Sequence, residues 1–169
     1  MLETPDELTE LQRLLDASAE AAGPHLRSII SDERRVDAAA LSERLQGMCL
    51  LVVATVTADG RPLVGPVDGY FLHGTFWFSS GRDSVRMRHL AARSAVSATY
   101  LPGEEFAVTV HGRVELFDLL GPAGAGLTQA MLDFYLPKQG PVFETWLHEA
   151  DPIGARIRPE KLFTFQLES

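Results

Sequence analysis

At Met48 the apolar residues stop recurring at helical spacing and start to fill or alternate along short extended runs. That change of period limits the fold more than any other feature, because a pattern of period two cannot bury itself as a helix. Met48 to Thr57 is almost wholly apolar or β-branched, and Ala58-Asp59-Gly60-Arg61 carries the Asp-Gly pair of a tight hairpin. Pro62 to Leu72 reads as the second strand, with Pro66 marking an edge, bulge or kink. His73-Gly74 turns into a third strand, Thr75 to Ser79, and a helix is predicted from about Asp83 to Ala92. Ala95 to Leu101 and Phe106 to Phe117 follow as strands, the latter setting Val108 and Val110 against Thr109, His111 and Arg113. Helices are expected within Gly124 to Leu136 and Val142 to Glu149, and a last strand over about Ala155 to Leu167. Six strands, mostly hairpin-linked, imply a mainly β fold: a closed antiparallel barrel with added helices.

The residues before this point read as a helical arm, 1–46, ahead of a barrel domain, 47–169, within one structural domain. Thr4-Pro5-Asp6-Glu7 has the order of a capping box with proline in the first turn. Leu8, Leu11, Leu14 and Leu15 then keep helical spacing until Gly23-Pro24. A looser stretch carries Leu26, Ile29 and Ile30, and a third helix is predicted from Asp37 to Gln46, stopped by Gly47. The arm has no chemistry of its own and reads as packing or dimer bracing.

A formal net charge of −8 argues against nucleic-acid or membrane-surface partners, which need broad positive potential. The single cysteine, Cys49, lies in an apolar run and reads as a buried packing residue in a reducing compartment. With no basic-then-apolar leader and no apolar run of about 18 residues, the expected location is cytoplasmic. His25, His73, His89, His111 and His148 lack metal-ligand spacing, so no metal is expected. Neither Gly-x-Ser-x-Gly nor Gly-x-Gly-x-x-Gly occurs.

Within this acidic chain, Arg82 to Arg93 is locally basic, with Arg82, Arg86, Arg88 and Arg93 against Asp83. It follows the strand Thr75-Phe76-Trp77-Phe78-Ser79 and the turn Ser80-Gly81. A strand, a small-residue turn and an arginine-bearing helix start are the components of a phosphate seat, since free N–H groups and the helix dipole meet the anion there. Arg86, with Ser79 and Ser80, is the candidate ligand, while Arg88 and Arg93 read as solvated helix charges. Tyr70, Trp77 and Phe78 read as core residues.

The run Ala54-Thr55, Asp59-Gly60-Arg61-Pro62, Pro66-Val67, Gly74-Thr75-Phe76 and Ser84-Val85-Arg86-Met87-Arg88-His89-Leu90 resembles the pyridoxamine 5′-phosphate oxidase-like family of FMN-binding split β-barrels. The likeness covers about Met48 to Phe117 well and Ala155 to Phe165 loosely. It implies a six-stranded antiparallel split barrel and a homodimer with cofactor sites at the subunit interface. Carried over position by position, Ser79, Ser80 and Arg86 would hold the cofactor phosphate, with Arg82 assisting. Thr55 and Val56 would meet the ring through backbone groups, and Pro66 and Val67 would lie beside it, although Thr55 and Pro66 are equally readable as strand packing. Arg86 stands where many relatives have lysine, which keeps the charge and adds a planar fork.

The resemblance implies a flavoprotein oxidoreductase transferring hydride to or from a small organic substrate, with FMN as cofactor. The alternatives are a reductase using the deazaflavin coenzyme F-420, whose anionic tail Arg61, Arg82 and Arg88 would meet, and a non-catalytic flavin-binding or carrier protein. No catalytic residue is assigned.

Overall fold

The computed structural model describes residues 3–167. Six strands close an antiparallel barrel in the order β1-β2-β3-β6-β5-β4. They are β1 (Met48–Val56), β2 (Pro62–Leu72), β3 (Thr75–Ser80), β4 (Ala95–Tyr100), β5 (Phe106–Asp118) and β6 (Ile153–Gln166). Six α-helices surround them: α1 (Pro5–Glu20), α2 (Pro24–Ile29), α3 (Ala38–Arg44), α4 (Val85–Ala92), α5 (Ala125–Gln139) and α6 (Val142–Ala150). Among the described residues no helix is long and apolar enough to cross a membrane.

Alternation decides what faces inward. On β1, Cys49, Leu51, Val53 and Thr55 are buried, whereas Leu50, Val52 and Val56 are exposed. β5 sends Phe106, Val108, Val110 and Val114 inward, as its pattern predicted. Its register with β6 shifts between His111 and Gly112. A Cβ at Gly112 would lie 2.1 Å from the Arg158 carbonyl oxygen, so only glycine lets the two backbones approach there.

The barrel interior forms one core and the outer face of β2 and β3 forms another. Leu51, Phe71, Phe76, Phe78, Ile157 and Leu162 fill the interior. Leu11 and Leu15 of α1 and Leu41 of α3 join that same core, so the arm packs as part of it. The arm is also tied by hydrogen bonds: Leu162 N–H donates to Ser18 Oγ at 2.9 Å, and Val36 N–H to Thr164 Oγ1 at 3.0 Å. Outside, Tyr70, Leu72 and Trp77 are covered by Leu127 and Met131 of α5 and by Phe143 and Leu147 of α6. Each fully buried side chain of this size contributes about 1.5–3 kcal/mol.

Local signals account for most of the boundaries. Thr4 and Glu7 form the reciprocal capping box of α1, and Asp37 caps α3 by accepting from Ala40 N–H at 2.8 Å. α4 begins at Val85 rather than Asp83 because Ser84 takes the cap position, its Oγ accepting from Met87 N–H at 3.3 Å. α5 continues through Pro137 to Gln139 and ends where Gly140 turns to φ +68°. β6 starts at Ile153, earlier than its apolar pattern suggested, because Ile153 pairs with Ser80 and Asp118.

One pairing defines the site. β2 pairs β1 from Pro62 to Tyr70 but meets β3 only over Gly69–Leu72. Beyond Gly69 the two strands diverge, leaving Asp68 on one lip and Ser79 and Ser80 on the other. Pro66 lies on this unpaired edge, where its missing N–H costs no ladder bond.

Candidate functional site

The divergence of β2 from β3 leaves Ser79, Ser80 and Gly81 without a β2 partner and directs the chain into the α4 turn. Ser84 N–H donates to the Gly81 carbonyl at 2.9 Å, and Ser80 Oγ bonds Ser84 Oγ at 3.1 Å. The turn is thereby tied to the helix start, where the first N–H groups have no acceptor within the helix. The positive end of the α4 dipole adds to the local potential.

Arg86, in the first turn of α4, folds back over β2. Its Nη2 donates to the Pro66 carbonyl at 3.0 Å, and a Cβ at Gly65 would lie 3.0 Å from the same nitrogen. Arg86 is half-buried and makes no ion pair among the described residues. Burial holds its guanidinium below the usual arginine value. An arginine whose charge is partly desolvated, with a carbonyl as its sole partner, is suited to receive an anion.

The other arginines of the segment are engaged elsewhere. Arg82 Nη2 pairs with Asp151 Oδ2 at 3.0 Å, linking the α4 turn to the residue after α6. Arg88 donates to the Asp83 carbonyl. Arg93, read from sequence as a solvated charge, donates through Nε and Nη2 to the Val56 carbonyl at 3.1 and 3.0 Å.

The ring-side candidates lie on the β1–β2 hairpin. Thr55 is buried, with Oγ1 3.1 Å from His89 Nδ1, and is cross-strand from Leu63. Val56 is exposed at its side chain and capped at its carbonyl by Arg93. Pro66 is exposed on β2, whereas Val67 packs partly against the barrel core. Ser79 Oγ thus turns to Met131 Sδ of α5 at 3.7 Å and Ser80 Oγ to Ser84 at the start of α4, Arg86 and Pro66 touch directly, and Arg82 is drawn away to Asp151.

Ser79, Ser80 and Gly81 form one wall of a cleft of about 400 Å³. The opposite walls come from Asp68, from Met131, Tyr135 and Gln139 of α5, and from Phe143 and Trp146 of α6. The Tyr135 hydroxyl donates to Asp68 Oδ2. Burial, and then that bond, push the Tyr135 phenol up to about 12. The buried Tyr70 hydroxyl, two residues along the same face of β2, has no hydrogen-bond partner among the described residues. Sequence reasoning missed Asp68, Tyr135, Trp146 and His89, because none stands in a recognisable spacing with its partner. Cys49 is buried, and its thiol is pushed up to about 12 by that burial, so it takes no part in the site.

A family model described as pyridoxamine 5′-phosphate oxidase matches residues 38–131. No curated protein matches the sequence. Among solved structures, a conserved hypothetical protein from Mycobacterium tuberculosis is similar at a TM-score of 0.65 and 16% identity, over 80% of this chain and 88% of that one. HutZ, the heme storage protein from Vibrio cholerae, gives 0.60 and 18%, over 76% and 94%. An F-420 reductase gives 0.52 and 22%, over 72% and 94%. At these identities the likeness is one of fold, and the neighbours' activities differ. The family model, by contrast, runs from the last helix of the arm through strands β1 to β5 into α5, more than half of the sequence, and the chain therefore belongs to the pyridoxamine 5′-phosphate oxidase family.

Proposed function

We propose that the protein is an FMN-binding oxidoreductase that works as a homodimer, with each cofactor seated against the Ser79–Ser80–Gly81 turn and Arg86. The observation that carries this reading is the half-buried Arg86 guanidinium in the first turn of α4, with a backbone carbonyl and no carboxylate as its partner among the described residues. The residues present suit a phosphate ester: a planar fork, two hydroxyls and free helix N–H groups. When bound, the flavin supplies hydride exchange with a small organic substrate.

The chain's own part is to bind, orient and exclude water. Arg86, Ser79 and Ser80 fix the phosphate. Thr55 and Val56 on β1 would meet the ring through backbone groups, with Pro66 and Val67 on β2 beside it. Arg93 and His89 hold that edge in place through the Val56 carbonyl and the Thr55 hydroxyl. The dimer is supported by the outward face of the same hairpin: Leu50, Val52 and Val56 are 53%, 43% and 38% exposed, and Val64 is 69% exposed. A contiguous apolar sheet face of this kind marks an interface, and a second copy there would close the seat from solvent.

FMN is favoured over coenzyme F-420 because, of the three arginines read for an anionic tail, Arg61 and Arg82 are paired with Asp59 and Asp151 and Arg88 is turned to the Asp83 carbonyl. The test is the absorbance spectrum of the purified protein, followed by titration with FMN, coenzyme F-420 and hemin. Saturable FMN binding that Arg86→Ala weakens about 10- to 100-fold is expected, the range for losing charge-assisted hydrogen bonds. Tight hemin or F-420 binding without FMN binding would overturn the assignment. Reduction of the bound flavin by NAD(P)H and its reoxidation by an acceptor separate an enzyme from a carrier.

A further inference from the structure

The cleft between the serine turn and the α5–α6 pair shares Ser79, Ser80 and Gly81 with the proposed phosphate seat, and its remaining walls have a different chemistry. Among the described residues, Asp68 is the single formally charged side chain in its walls, and no lysine, arginine or histidine lines it. The Tyr135 hydroxyl occupies Asp68 Oδ2, while Oδ1 has no partner among the described residues. One carboxylate oxygen is thus oriented by the protein and the other is left for a donor. Beside it runs a series of near-parallel rings. Tyr135 and Phe143 stack at 4.5 Å and 25°, and Phe143 and Trp146 lie at 5.5 Å and 31°. Phe143 is 4% exposed but Trp146 is 51% exposed, so the series ends on a half-exposed ring that lines the cleft.

We propose that this cleft binds a planar aromatic ligand with an N–H donor edge, neutral or cationic, stacked on Trp146 and donating to Asp68 Oδ1. An open indole offers a planar ligand the same offset contact that the buried rings make with one another. An oriented carboxylate with a vacant oxygen prefers an N–H donor, above all a charged one, and repels an anion. A ligand carrying a second phosphate or a carboxylate finds no cation in these walls, so the compartment does not suit a phosphorylated substrate of the kind in the family's name. Because the serine turn is shared with the cofactor seat, the cleft is the substrate compartment if the flavin reading holds. That role rests on the reading, whereas the binding chemistry does not.

Full-length protein, with and without FMN, is titrated with benzamidine, benzoate and cyclohexylamine by calorimetry or ligand-observed NMR. Benzamidine is planar with a cationic N–H edge, benzoate is planar and anionic, and cyclohexylamine is cationic but not planar. Benzamidine should bind at least tenfold tighter than either of the others. Asp68→Asn should lower its affinity at least tenfold, and Trp146→Ala several-fold with little change in Tm, since Trp146 is half exposed. Tyr135→Phe keeps the ring and frees Asp68 Oδ2, so benzamidine binding should persist or tighten even if Asp68→Asn proves unstable. Equal binding of benzoate, unchanged affinity in Trp146→Ala, or loss of binding in Tyr135→Phe would overturn the proposal. Benzamidine binding without FMN binding would leave the cleft's chemistry intact and remove the flavin reading. FMN binding without benzamidine binding would do the reverse.

Discussion

The Arg86 guanidinium lies across Gly65, reaching the Pro66 carbonyl at 3.0 Å in the space that a side chain at position 65 would occupy. Helix α4 and strand β2 thus meet through a missing side chain, and that vacancy sets where the positive charge stands.

A methyl group at position 65 would sit 3.0 Å from Nη2, so the flexible end of Arg86 must shift by a few tenths of an ångström. Gly65→Ala is expected to keep the wild-type Tm within a few degrees while weakening FMN binding several-fold. Gly65→Val should weaken it further. Spectral titration checks the affinity and a thermal melt checks the fold.

Val64 is 69% exposed on the outward hairpin face, next to Ala54 of β1. Val64→Asp places a charge in the proposed interface without touching the barrel core. Light scattering should show the mass fall from dimer to monomer, with FMN affinity falling alongside. A monodisperse dimer in this variant would place the interface elsewhere.

Leu41 of α3 is fully buried in the barrel core together with Leu11 and Leu15 of α1. Leu41→Ala is expected to destabilise the whole protein by about 2–5 kcal/mol, the cost of a large-to-small core change. Urea unfolding should remain a single transition at a lower midpoint. A separate early transition confined to helical signal would show instead that the arm unfolds independently.

The Glu7 carboxylate is held below its ordinary value of 4.5, chiefly by the Thr4 N–H of the capping box, with burial opposing and His73 assisting. A depressed folded value means the cap's contribution is fully present above pH 4.5 and is lost as the pH falls through the folded value. Glu7→Ala should therefore cost about 1 kcal/mol at neutral pH, a usual amount for a cap. The difference from wild type should shrink as the pH falls below 4.5 and through the depressed folded value, in line with proton linkage. Denaturation at a series of pH values measures it.

Much of the fold was legible because its signals are local. The Thr4 and Asp37 caps, the Asp59-Gly60 hairpin and the alternation along β5 each involve residues a few positions apart. Where the boundaries differ, a longer-range contact decided them. β6 begins at Ile153 because Ser80 and Asp118 pair there, not because its own pattern says so. Arg93 looked like a surface charge because nothing near it in sequence shows that Val56 presents a carbonyl.

The sequence alone determined the six strands, the capped helices, and the serine turn leading into an arginine-bearing helix, since period and capping depend on neighbours along the chain. Only the tertiary structure decided how each arginine is engaged. Asp151, 69 residues away, takes Arg82, while burial against β2 leaves Arg86 with a carbonyl alone. The structure likewise made the cleft, by bringing Tyr135 to Asp68 across 67 residues of chain. Barrel closure and the docking of α5 and α6 fix those distances, and they depend on packing throughout the molecule rather than on any local run of residues.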